Sequence, residues 1–326
     1  MKNGMLKRDG DLQIFIVGMA RSGTTLLSEI LNSHSKIAVS PETHYFRNYW
    51  LKDTQTSLKM RGKLSENFLA SAGFKQFGFP IEEKKEIEYE ISESLKTGQT
   101  EILSNIMTHY RLKEKKPFWA EKTTAHLMYI PEIARLFPAC KFICITRDPR
   151  DICLSLKKAS FHTGTTTLSI ARRWKKYTTR TSLYKNTYKD NFLEIKYEEL
   201  IVNTEQIIKK ICMFLGIDYE KNMLIRNGVP TTFDKDKEYW KMNASRPIDR
   251  NNFGKWKKEM DVGEIYFFQK FLSKEIDFYN YEKLLIENNF HIKLEMLKII
   301  GNWCLTTALN LSRQILDKGK YSMHIN

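Results

Sequence analysis

Cysteine is scarce in this 326-residue sequence, and none of the five (Cys140, Cys144, Cys153, Cys212 and Cys304) forms a C-x-x-C pair with another. That excludes a zinc ribbon and a disulfide framework, and the cysteines read as reduced, buried thiols of a cytosolic protein. Long apolar runs are missing too. The nearest, residues 299–312, is uncharged but interrupted by Gly301, Asn302 and Asn310, short of the ~20 apolar residues that span a bilayer. No internal repeat or low-complexity stretch is visible, and the proportions of apolar and charged residues are those of an ordinary globular chain. Acidic residues are in deficit: 38 face 53 Lys and Arg, for a formal charge of +15. Such an excess points to an anionic partner such as a nucleotide, an acidic glycan or a membrane surface. The basic residues are spread along the chain without an arginine-rich tail, so nucleic acid is not expected.

What is present is a strand-turn-helix pattern that recurs. Residues 14–17 are a short β-rich run, followed by a glycine turn and a helix bearing Leu26, Leu27, Ile30 and Leu31. A short strand is expected at 37–39, then a polar, mostly helical stretch to about 116. Residues 142–146 start a second such unit, in which Asp148 suits an N-cap and Pro149 the first helical position. A helix over 168–188, a strand in "NFLEIKY" and a helix over 207–215 follow. Alternating strands and helices predict an α/β fold with a central parallel sheet flanked by helices, its ligands bound beyond the C-terminal strand ends. We expect one domain over 1–326, with a helical insertion at 44–118 on the acceptor side and a helical C-terminal extension at 262–326.

Two loops carry the chemistry. Gly18-Met19-Ala20-Arg21-Ser22-Gly23-Thr24-Thr25 nearly spells G-x-x-x-x-G-K-[ST], the P-loop, but Thr24 stands where the lysine belongs. Its backbone amides and the helix N-terminus behind them can bind a tetrahedral anion whatever fills that slot, with Arg21 and two threonine hydroxyls in support. In the second loop, "RDPRD", Arg147 ends a strand and Ser155 follows eight residues later on the next helix. Both can reach one phosphate, the arginine through charge-assisted bonds. The alternative is a capped helix start with surface ion pairs.

"RSGTTLL" and "RDPRDICLS", each after a strand, resemble the paired signatures of sulfotransferases that use 3′-phosphoadenosine 5′-phosphosulfate (PAPS). "WAEKTTAHLMYIPEIARLFPACKFICITRDPRD", "FLEIKYEELIVNTEQIIKKICMFLGI" and "SRPIDRNNFGKWKKEM" are similar to the bacterial-type and tyrosylprotein-type branches, so the likeness runs from about residue 12 to 260. It implies a P-loop-like fold, PAPS as donor and 3′-phosphoadenosine 5′-phosphate (PAP) as product, without a metal. It assigns Arg21, Ser22, Gly23, Thr24 and Thr25 to the 5′-phosphosulfate and Arg147 and Ser155 to the 3′-phosphate. Tyr197 falls where relatives place an aromatic residue near the adenine, a core tyrosine being the other reading. Arg250 and Lys255 fall in the loop that closes over the 3′-phosphate in relatives; the usual R-K-G tripeptide is absent, and Arg246 competes for the role. Trp256 reads as core.

In-line sulfuryl transfer needs positioning, charge stabilisation and removal of one proton. Arg21 and Lys122, in "EKTT", are the candidate cations. Glu42, twenty-one residues after Arg21, occupies the place of the tyrosylprotein branch's catalytic glutamate; a salt-bridged or capping glutamate is the alternative, and His44 and His126 are the other candidate bases. The excess positive charge favours a carbohydrate or glycolipid hydroxyl as acceptor, with contacts from the insertion and from 160–166. The C-terminal stripe around Ile292, Met296, Ile299 and Trp303, flanked by Ile300, Cys304, Leu311 and Ile315, suits a core-packing or dimer helix better than a peripheral membrane contact. The localisation expected is cytoplasmic and the oligomeric state stays open. Two competing readings are a P-loop kinase-like phosphotransferase and a non-catalytic, membrane-associated nucleotide-binding protein.

Overall fold

Five β-rich runs become parallel strands in the computed structural model, which describes residues 12–50, 58–96, 102–159, 165–226, 231–233, 236 and 238–322. They are β1 (Gln13–Gly18), β2 (Ile37–Val39), β3 (Phe118–Lys122), β4 (Lys141–Thr146) and β5 (Phe192–Lys196), in the order β2-β3-β1-β4-β5. The main helices are α1 (Thr24–Asn32), α2 (Pro149–Lys157), α3 (Thr167–Thr187), α4 (Tyr197–Val202), α5 (Thr204–Leu215), α6 (Val262–Phe271) and α7 (Phe290–Ser322). The expected α/β fold with a parallel sheet is observed. Asp148 caps α2 by accepting from the Arg150 N–H, with Pro149 in the first turn.

Successive side chains of a strand point to opposite faces, and both faces of this sheet are covered. Ile14 and Ile16 join Leu27, Ile30 and Leu31 of α1 and Ile208 and Ile211 of α5 on one side. Phe15, between them in sequence, packs its ring against Trp119, Phe137 and Phe142. Each such buried side chain is worth about 1.5–3 kcal/mol relative to exposure. Strand β3 was not expected, because a buried parallel strand normally reads as a continuous apolar run. Here it ends in Glu121 and Lys122, both fully buried, and only their partners make that tolerable.

Between β2 and β3 the polar stretch folds as expected into helices, chiefly Leu58–Leu69, Ile81–Lys96 and Ile102–Lys113. An aromatic cluster of Phe74, Phe77, Phe79 and Tyr110 supports them. The chain divides into two compact units, Met1–Thr146 with Arg180–Arg250, and Arg147–Thr179 with Asn251–Asn326. The first holds the whole sheet. The second holds α2, α6 and α7, so it begins before the extension expected at 262 and takes in the helix after β4. Four cysteines are buried, whereas Cys304 is exposed on α7, against expectation. Asn310, Leu311 and Ile315 of the apolar stripe lie where side chains fall outside the described residues. Among the described residues no helix is long and apolar enough to cross a membrane.

Candidate active site

The loop after β1 has the backbone an anion site needs. Gly18 has φ 149°, and a Cβ there would lie 2.6 Å from the Ile145 carbonyl oxygen of β4. Arg21 (φ 73°) and Gly23 (φ 100°) are both left-handed, and such turns among right-handed neighbours aim successive N–H groups into one concavity. A Cβ on Gly23 would sit 2.3 Å from the Tyr197 ring, so glycine is required on two counts. Gly23 caps α1 with no side-chain bond and no acidic residue follows in the first turn. The first amides of α1 therefore keep their donors for a ligand. Ser22 Oγ is buried and has no hydrogen-bond partner, an orphan of the kind a phosphate or sulfate oxygen could satisfy. Thr24 is buried and Thr25 half-buried. Tyr197, at the start of α4, is buried in the core with its ring against Gly23, so the core reading of that residue describes where it stands.

Parallel pairing sets β3 beside β1, with Ile16 opposite Lys122, and β2 beside β3, with Val39 opposite Ala120. The segment that follows β2 thus emerges on the same edge as Lys122 and brings Glu42 to it. Lys122 Nζ donates to Glu42 Oε1 at 2.5 Å, and Lys241 Nζ donates to the same oxygen at 2.8 Å. Glu42 Oε2 lies 3.7 Å from His44 Nε2. Burial alone would raise the Glu42 carboxyl, but the two ammonium groups outweigh it and hold the acid well below the usual carboxylate range. Burial pushes Lys122 down and His44 down. Glu42 is salt-bridged rather than a helix cap, a half-buried carboxylate held between two ammonium groups.

Directly behind it lies a second buried network. Glu121 Oε1 accepts from the hydroxyls of Thr43 (2.8 Å) and Thr123 (2.5 Å), and Oε2 accepts from His126 Nδ1 at 2.8 Å. His126 Nε2 accepts from the Phe46 N–H, which puts the ring proton on Nδ1. Both ring nitrogens are spent inside the core, so His126 positions the 43–46 segment and presents no nitrogen to a substrate. Sequence reading missed Glu121, Lys241 and Glu29. Glu29 was findable, as a lone acid in the apolar helix "TTLLSEILN". It is fully buried and accepts from the backbone and hydroxyls of Thr231 and Thr232.

In the second unit Arg147 is buried. Its NH2 donates to the Asn252 carbonyl at 3.0 Å and lies 3.9 Å from Asp151 Oδ2. Asp151 accepts from the N–H groups of Gly254 (2.7 Å) and Trp256 (3.2 Å). The start of α2 and the 252–256 loop are thereby tied together. Ser155 is half-buried, further along α2. Trp256 is core, with the Arg150 guanidinium 3.5 Å over its ring. Lys255, Arg250 and Arg246 are exposed. Of the expected acceptor segment 160–166, residues 160–164 lie outside the described residues. Among the described residues no group of three or more His, Cys, Asp or Glu could hold a metal ion.

A family profile described as the sulfotransferase family matches residues 13–221. A protein-tyrosine sulfotransferase of Drosophila melanogaster is 24% identical over 271 residues, covering 77% of this chain and 47% of that protein. Protein-tyrosine sulfotransferase 1 of Danio rerio is 25% identical over 215 residues, covering 65% of this chain and 55% of that one. The chain thus spans about half the length of these two curated relatives. Among solved structures, the sulfotransferase domain of the Synechococcus PCC 7002 olefin synthase shares the fold, with TM-score 0.61, 18% identity, and coverage of 85% of this chain and 98% of that one. The profile's range spans both loops, all five strands, Glu42 and Lys122, and the chain belongs to the PAPS-dependent sulfotransferase family.

Proposed function

We propose that this protein transfers the sulfuryl group of PAPS to an acceptor hydroxyl, with Glu42 as general base. The observation that carries it is the Glu42–Lys122 contact at the edge of the sheet where the lysine-free P-loop opens. The loop amides, Arg21, Ser22, Thr24 and Thr25 suit the 5′-phosphosulfate, and the orphaned Ser22 hydroxyl supports that assignment. Arg147 and Ser155 of the second unit suit a 3′-phosphate, Arg250 and Lys255 are its further candidates, and Tyr197 is the adenine candidate. PAPS, when bound, supplies the sulfuryl group and a bisphosphate leaving group. Arg21 and Lys122 then stabilise charge on the transferring group, and Glu42 takes the hydroxyl proton.

A tyrosine phenol, with an unperturbed pKa near 10, gives up its proton more readily than a sugar alcohol, and the two curated relatives carry names that specify protein tyrosine. We therefore take a tyrosine hydroxyl as the acceptor class. A carbohydrate or glycolipid is the second reading, favoured by the net charge of +15. The first test is calorimetric titration with PAP, 5′-AMP and ATP. Tight binding of PAP alone is expected; equal or better binding of ATP would return the kinase reading to the front. Transfer of radiolabelled sulfate from PAPS to tyrosine peptides, and not to glycans, then decides the acceptor.

A further inference from the structure

The Glu42 carboxylate has one more cation than the reaction asks for. Lys122 and Lys241 bond the same oxygen, Oε1, while Oε2 faces His44. Lys241 also pairs with Glu238, three residues earlier in the same turn. Its side chain is only 10% exposed, and its place is built. Met242 and Ala244 pack into the core against α1, and Glu29 pins Thr231 and Thr232 upstream. The two lysines are not equivalent. Lys241 is shared by two carboxylates that outweigh its burial and push it up, whereas burial wins at Lys122 and pushes it down. Lys241 is thus the cation held by two carboxylates, Glu42 and Glu238.

If Lys122 turns to the sulfuryl group, Glu42 loses a counter-ion in a place where an unpaired carboxylate is costly. With nothing else to hold it, the carboxyl would follow Lys122 or take up a proton. We propose that Lys241, backed by Glu238, is a positioning residue that holds Glu42 by Oε1 independently of Lys122, keeping Oε2 for the acceptor hydroxyl while Lys122 serves the donor. The departure of Lys122 toward the donor and the role of Oε2 toward the acceptor rest on the sulfotransferase reading; the clamp itself does not. The other titratable groups facing Glu42 are His44 in contact and, behind the first layer, Glu238, Glu121 and His126.

The test is a titration of the full chain carrying 13C at glutamate Cδ, with the Glu42 signal assigned by its loss in Glu42→Gln. In the wild type and in Lys122→Met the signal is expected to stay that of a carboxylate from about pH 4 to 8. In Lys122→Met/Lys241→Met burial prevails and the group titrates above the ordinary carboxylate value. A normal or raised titration in Lys122→Met alone would overturn the proposal. Should the double variant not fold, the pH profile of Lys241→Met with PAPS and a tyrosine peptide takes its place. Its kcat is expected to fall roughly 10–100-fold with the donor KM little changed and the acid limb moved up. Lys241→Arg restores most of that loss, and an unmoved acid limb would overturn the proposal. Failure of the wild type to bind PAP would strike the sulfotransferase reading and leave the titration result standing.

Discussion

At the scale of single residues, three positions separate chemistry from architecture. Glu42→Gln keeps the shape and removes the proposed base, so turnover should fall by about 10²–10⁴ while PAP still binds; a fully active variant would remove Glu42 from the mechanism. Arg147→Ala removes the charge-assisted bonds proposed to the 3′-phosphate, worth about 1.5–3 kcal/mol. Calorimetry should therefore read a PAP affinity lower by roughly 10–100-fold, with 5′-AMP unaffected. Gly23 is architectural. Gly23→Ala places a methyl into the Tyr197 ring at a left-handed φ, and should cost about 3 kcal/mol in denaturant unfolding. Adding Tyr197→Leu relieves the clash and leaves the backbone strain, so about half should return. These glycines and arginines were legible because a motif needs that residue type at that spacing. Glu42 was legible only through the resemblance, and its two cations come from segments 80 and 199 residues away.

At the scale of elements, the instructive case is β3. Its pattern conceals it, because Glu121 and Lys122 sit where a parallel strand normally carries aliphatic side chains. The strand survives because each charge is met: Glu121 by His126 and two threonines, Lys122 by Glu42. Burial alone would raise the Glu121 carboxyl, but His126 and the hydroxyls outweigh it and lower it. A folded value below the unfolded one gives stability that is present above the ordinary carboxylate pKa of about 4.3 and is lost as pH falls through the lower folded value. Glu121→Gln should cost roughly 3–5 kcal/mol at neutral pH and flatten the acid side of the stability curve. An acid limb unchanged in urea titrations at several pH values would show that the network contributes nothing. Helices were easier to read than β3. The α1 and α5 patterns keep an apolar face at helical spacing, and Asp148-Pro149 marks the start of α2 by its capping chemistry.

At the scale of the whole molecule, the charge of +15 and a polyanionic donor predict electrostatic capture. PAP affinity should weaken about tenfold as salt rises from about 0.05 to 0.5 M, since the Debye length shrinks over that range. An affinity indifferent to salt would reduce the net charge to composition alone. By itself the sequence determined the α/β alternation, the helices between β2 and β3, the two loops proposed to bind anions and the family, because each is written in local spacing: strand before glycine turn, turn before helix, cap before first turn. Tertiary structure alone decided that Lys241 meets Glu42, that Glu121 and His126 lock the segment after β2, that Glu29 ties down residues 231–232, and that the chain forms two units with the second starting at Arg147. The physical reason is that a buried charge is tolerated only beside its partner, and partners far apart in the chain are brought together by the packing of the sheet and its helices.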